Sequence, residues 1–256
     1  MKNPVNRFKA ALGTGRHQVG IWNTIGGPNV PELLGGAGFD WVLVDCEHAS
    51  IETIDVLPAL QALAANPEVS AIVRPASNDA TLFKRLLDMG AQTLMVPYVE
   101  TPEDAAQAVR AMRYGPRGIR GMAGMTRATR YGKVADYAAT AEDELCLIVQ
   151  IETVRGMENL EAIAQTPGVD AVFIGPSDLS ASMGLPGQLR HLDVIAAIHD
   201  IIDRMRAIGV PVGLMELDSD TAKGYVARGS TFTAVGIDLI LLASAVDNLR
   251  NRFRDT

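Results

Sequence analysis

Residues 145–152 read LCLIVQIE and residues 169–184 read VDAVFIGPSDLSASMG. Two short apolar runs each lead to a carboxylate. Glu152 closes the first, and Asp178 follows the second after a Gly-Pro-Ser turn. Runs of this length, rich in Ile and Val and bounded by turn residues, read as strands buried on both faces. The intervening residues 153–166 have helical spacing, so the unit is strand–helix–strand, parallel and right-handed. Both acids therefore belong at the C-terminal edge of adjacent parallel strands. Two acids placed there, with no lysine beside them, point to a divalent metal held by oxygen.

The same beat extends outward in both directions. Apolar runs at 18–22, 41–46, 71–74, 93–96, 145–151, 171–174, 212–214 and 233–235 predict strands. Helical spacing occupies 30–37, 54–65, 80–89, 102–113, 153–166 and 193–208. Gly38, Gly90, Gly168, Gly209 and Gly229 fall where each helix returns to the sheet, as such turns require. Strands alternating with crossover helices close into a parallel (β/α)8 TIM barrel, and residues 1–256 are expected to form one such α/β domain. A doubly wound open sheet is the competing arrangement. Residues 114–143 break the rhythm. This long excursion, carrying Arg117, Arg120, Arg127 and Arg130, is expected on the C-terminal face as a functional loop, with a solvated excursion or an oligomer contact as the alternative.

The chain has 256 residues, 48% of them hydrophobic, enough for one barrel of the usual length of roughly 250 residues. A net charge of −7 argues against a nucleic-acid footprint, which needs a basic face. No apolar run reaches the roughly 18 residues of a membrane span, and residues 1–15 lack a signal-peptide core, so a cytoplasmic protein is expected. Cys46 and Cys146 sit beside apolar neighbours without metal-motif spacing and read as core thiols.

In a parallel barrel the strand ends converge on one pocket. Here they supply Trp22 and Asn23, then Asp45, Glu47 and His48, then Arg74, Gln150, Glu152, Ser177, Asp178 and Glu216. Glu152 and Asp178 suit a hard cation such as Mg²⁺, which takes one or two carboxylates and completes its octahedron with water and substrate oxygens. The alternative is that each caps the following helix. Arg74, fixed before a proline, suits an enolate or carboxylate oxygen, or else a salt bridge within the mouth. As a residue at the barrel mouth it is expected to contribute little to the core. His48 is a candidate general base, with a hydrogen-bonded structural role as the alternative; His17, His191 and His199 read as structural. Lys2, Lys9, Lys84, Lys133 and Lys223 all fall away from strand ends, so no Schiff-base lysine is available. The residues that remain suit proton abstraction or carbon–carbon cleavage beside a carbonyl.

The segments GFDWVLVDCEHA (38–49), IVRP (72–75), LDMGAQTLMVP (87–97), LCLIVQIET (145–153) and VFIGPSDLSASMG (172–184) resemble the metal-dependent 4-hydroxy-2-oxoheptanedioate aldolases, class II pyruvate aldolases of the citrate-lyase β-like superfamily. The resemblance implies a (β/α)8 barrel whose final helix is exchanged between neighbouring subunits of a homo-hexamer, a trimer of dimers. It implies that Glu152 and Asp178 bind Mg²⁺, Mn²⁺ or Co²⁺, and that Gln150 and the main chain around Ser177 and Asp178 hold the 2-oxo acid. Arg74 would stabilise the enolate. His48 would be the acid/base group, supported by Asp88 of the LDMG motif, either within the chain or across a subunit contact, with Asp45 a further candidate for orienting it. Trp22 would line the substrate pocket. The implied reaction is reversible retro-aldol cleavage of a 4-hydroxy-2-oxo acid to pyruvate, or hydroxypyruvate, and an aldehyde. A metal-dependent isomerase or dehydratase, or an acyl-CoA lyase, is the alternative. Ser177 and Glu216 depart from the family pattern, and Glu216 is expected to flank the aldehyde side.

Overall fold

The computed structural model describes residues 1–254. Its strands are β1 (Gln18–Asn23), β2 (Trp41–Asp45), β3 (Ser70–Arg74), β4 (Thr93–Val96), β5 (Cys146–Ile151), β6 (Ala171–Ile174), β7 (Val212–Met215) and β8 (Phe232–Ile237). All pair in parallel with their sequence neighbours, and β1 pairs with β8, closing the barrel in the expected order. The helices are α1 (Arg7–Leu12), α2 (Asn29–Gly35), α3 (Thr53–Leu63), α4 (Ala80–Asp88), α5 (Pro102–Met112), α6 (Tyr137–Thr140), α7 (Val154–Glu158), α8 (Leu160–Ala164), α9 (Pro176–Ser182), α10 (Leu192–Ile208), α11 (Ser219–Arg228) and α12 (Asp238–Asn251). The predicted helix over 153–166 is two short ones. The break falls at Asn159, whose side-chain amide leaves the helical path to donate to the Glu100 carbonyl at 2.9 Å.

Two packing layers hold the fold. One fills the barrel interior with Phe8, Trp22, Trp41, Leu43, Ile72, Phe173 and Phe232; the other lies between strands and helices. The interior aromatics fit because glycines face them. A Cβ on Gly20 would fall inside the Trp41 indole, and one on Gly213 would fall against the Phe232 ring. Each of the five predicted turn glycines (Gly38, Gly90, Gly168, Gly209 and Gly229) has positive φ, the region that other residues enter at a cost.

α1, which sequence spacing leaves as an arm, plugs the N-terminal end of the barrel. Its Phe8 meets Phe232 and Trp41 edge-on, with centroids 5.3 and 6.2 Å apart. The 114–143 excursion lies on this same end, not on the C-terminal face. It follows α5 rather than a strand, so the chain has already returned to the N-terminal ends. There Arg127 Nη1 donates to the Met89 carbonyl at 2.8 Å, and the Met1 ammonium to the Lys133 carbonyl at 2.8 Å.

The opposite end stays open. Across the β8–β1 seam, buried Asp238 accepts hydrogen bonds from the Asn23 side chain (2.7 Å) and from the Thr24 and Ile25 N–H groups. Asn23 is thereby committed to structure. α12 leaves the seam with Leu239, Leu241, Leu242, Val246 and Leu249 more than half exposed.

Candidate active site at the C-terminal mouth

A cavity of about 440 Å³ opens among the C-terminal strand ends, lined by Trp22, Asp45, His48, Arg74, Gln150, Glu152, Ser177 and Asp178. Sequence reasoning points to every one of these. Met215, Ile237, Leu239 and Ile240 give the cavity an apolar wall on the β7–β8 side.

Arg74 is its centre. The β2–β3 register places Asp45 directly opposite it. Arg74 Nε and Nη2 donate to the two Asp45 carboxylate oxygens at 2.8 and 2.7 Å, a bidentate pair. Nη1 lies 2.8 Å from Glu47 Oε2, and the guanidinium carbon sits 5.3 Å from the centre of the Trp22 ring. Burial works to raise the Asp45 carboxyl, but the hydrogen bonds and charge of Arg74 outweigh it and hold the group below the usual carboxylate range. Asp45 orients Arg74 and also accepts from the His48 backbone, so it holds that residue by the main chain. One expectation is corrected here. Arg74 is buried between carboxylates, 7% exposed, so it belongs to the structure as well as to the mouth.

Gln150 links Arg74 to the acids. Its amide nitrogen donates to Glu152 Oε2 at 2.9 Å, and its oxygen faces Arg74 Nη1 at 3.5 Å. Glu152 is 2% exposed. Burial is the main force pushing its carboxyl up to about 7; the Tyr98 N–H pulls it down, while the charges of Glu47 and Asp178 raise it further. Gly175, opening the GPSD turn, is required: a Cβ there would overlap the Glu152 carboxylate. Asp178 stands in the first turn of α9, beside the β6 end that pairs with β5.

The remaining candidates are less enclosed. His48 stands at the rim with its side chain 60% exposed, and its nearest acid is Glu47, 3.9 Å away. Ser177 follows Pro176 in the first turn of α9, where backbone N–H groups lie beyond the reach of the helix's own carbonyls. Asp88 is not brought to His48 within the chain. It ends α4 near the opposite end of the barrel and accepts from Arg120 at 2.8 Å. Glu216 does not line the cavity; Arg190 holds both its oxygens at 2.9 Å, so the wall there is apolar after all.

Sequence reasoning misses the parts played by Tyr98 and Glu47. Tyr98 donates its N–H to Glu152 Oε1 at 2.7 Å and its hydroxyl to Asp178 Oδ1 at 3.1 Å. Its place directly after β4, behind Val96 and Pro97, is the available signal. Glu47 Oε2 is buried and, apart from the poorly angled ion pair with Arg74, has no hydrogen-bond donor.

A closed parallel barrel whose mouth gathers carboxylates around one immobilised arginine defines a lyase-type barrel enzyme. The chain belongs to the HpcH/HpaI aldolase/citrate lyase family, which matches residues 18–245, and it is a carbon–carbon lyase. It is 51% identical to a pyruvate aldolase of Rhizobium etli, over 99% of both chains. It is 48% identical to a hydroxypyruvate/pyruvate aldolase of Sagittula stellata, over 96% of both. A solved HpcH/HpaI aldolase/citrate lyase family protein from Burkholderia cenocepacia is 39% identical and superposes with a TM-score of 0.94, over 98% of this chain and 100% of that one.

Proposed function

We propose that this protein is a divalent-metal-dependent aldolase that reversibly cleaves a 4-hydroxy-2-oxo acid to pyruvate, or hydroxypyruvate, and an aldehyde. The observation that carries the reading is the placement of Glu152 and Asp178 at neighbouring strand ends, linked through Tyr98, beside the pinned Arg74.

The residues fit a hard cation. The donors are carboxylate oxygens. Burial first, then the charges of Glu47 and Asp178, raise the proton affinity of Glu152; burial first, with the charges of Asp45 and Asp178, raises that of Glu47, so the mouth has negative charge in excess of Arg74. Among the described residues no group of three or more His, Cys, Asp or Glu side chains forms an all-protein cage. That suits an ion such as Mg²⁺, Mn²⁺ or Co²⁺, whose remaining positions go to water and substrate. Glu152 and Asp178 would hold it, and when bound it would withdraw electrons from the keto acid.

The chain's own groups account for the rest. Gln150 and the N–H groups around Ser177 and Asp178 seat the substrate carboxylate. His48 takes the proton from the C4 hydroxyl; the C3–C4 bond breaks as C4 becomes the aldehyde carbon, and the electron pair passes to the C2 carbonyl. Arg74, held still by Asp45, faces the oxyanion with no reorganisation to make. Protonation at C3 then releases the keto acid. The apolar wall from Met215 to Ile240 receives the aldehyde end. Asp88 reaches the His48 of a neighbouring subunit in a cytoplasmic homo-hexamer, whose exchanged α12 covers the leucines that helix exposes.

Pyruvate release from a panel of 4-hydroxy-2-oxo acids, coupled to lactate dehydrogenase, tests the reading. Activity should vanish after chelation with EDTA and return with Mn²⁺. Full activity after exhaustive chelation would remove the metal from the mechanism.

A further inference from the structure

Tyr98 has φ +52°, in the left-handed region that non-glycine residues seldom enter. Its ring is not part of the core, being half exposed at the mouth. What the unusual backbone achieves is a pair of contacts. The N–H points at Glu152 Oε1 on the β5 end, and the hydroxyl reaches Asp178 Oδ1 in α9, so one residue after β4 spans both acids. Tyr98 thus engages Oε1 of Glu152, whose Oε2 accepts from Gln150, and Oδ1 of Asp178; each carboxylate oxygen still has a lone pair for a further partner.

We propose that Tyr98 is a positioning residue for the cation, fixing the Glu152 and Asp178 carboxylates in the relation that the ion requires. The inference rests on the metal reading above and adds to it a residue that touches neither the ion nor the substrate. Hydrogen-bond partners of ligating carboxylates commonly carry a tenfold or larger share of metal affinity.

Titration of the full-length protein with Mn²⁺, followed by the electron paramagnetic resonance signal of free ion, reads this without turnover. Tyr98→Phe keeps the ring and the backbone N–H and removes only the hydroxyl. It should bind Mn²⁺ about tenfold more weakly, with the melting temperature of the EDTA-treated protein unchanged. In the assay its half-saturating Mn²⁺ should rise while kcat at saturating Mn²⁺ stays near wild type. Asp178→Asn serves as the reference for outright loss. If Asp178→Asn loses Mn²⁺ while Tyr98→Phe binds it as tightly as wild type, or more tightly, Tyr98 has no positioning role and the metal reading survives. If wild type itself takes up no Mn²⁺, both ideas fall together.

Discussion

The two ends of this barrel solve opposite problems with similar residues. At the N-terminal end most polar groups find partners. The Asn6 side chain donates to Thr93 Oγ1 at 2.9 Å and to the Glu144 carbonyl at 3.0 Å, and Arg113 and Arg117 share Glu142 at 2.8 and 2.7 Å. Even the fully buried Arg120, with Nε and Nη1 lacking hydrogen-bond acceptors, lies 4.5 Å from the centre of the Tyr114 ring. At the C-terminal end, Asp45, Glu47, Glu152 and Asp178 gather around Arg74, and burial with mutual repulsion lifts Glu152 to about 7. One end is closed for stability, and the other keeps an imbalance for a ligand to resolve.

Arg74→Ala should show the largest effect, because both consequences fall on one residue. Retro-aldol kcat/KM should drop by ~100- to 1000-fold, as expected for loss of an oxyanion partner. Stability should also fall, by about 3–5 kcal/mol, since Asp45 and Glu47 would be left buried without their cation. Denaturant unfolding beside steady-state kinetics reads both. An active variant would end the enolate role; an inactive one with wild-type stability would mean that the buried acids find other partners.

Phe8→Ala breaks the closed end instead. Removing a fully buried ring that meets Trp41 and Phe232 should cost about 3–5 kcal/mol, while kcat of the folded enzyme stays within about twofold, given that the site lies at the far end of the barrel. A large fall in kcat at a temperature where the variant is folded would show that the two ends are coupled.

The barrel is legible in the sequence because strands buried on both faces read as uninterrupted apolar runs, such as LCLIVQI, and because glycines mark the returns. The acids of the mouth are legible because a charge that ends such a run has few uses beyond capping a helix or holding a ligand. What escapes depends on encounters between distant segments. Tyr98 meets Asp178, Asn23 meets Asp238, and Asp45 meets Arg74; no local pattern announces these. The 114–143 excursion misleads for a different reason. Its length draws attention to function, while its position after α5 already decides its face.

The smallest effect expected is the most direct probe of the charge imbalance. An unfolded chain ionises Glu152 near 4.5, whereas the folded, metal-free protein does so near 7, chiefly because the group is buried. The folded state therefore binds that proton more tightly. Its contribution to stability is whole below about 4.5 and is lost as the pH rises through about 7. The loss is at most on the order of 3 kcal/mol. In EDTA, unfolding free energy measured between pH 4.5 and 8 should decline, and Glu152→Gln should flatten most of the slope, leaving the part due to Glu47, which burial also raises. Saturating Mn²⁺ should reverse the trend, because a cation favours the ionised carboxylates that the empty mouth resists. A metal-free slope unchanged in Glu152→Gln would place the strain elsewhere, and the contrast between the two ends would then rest on Arg74 alone.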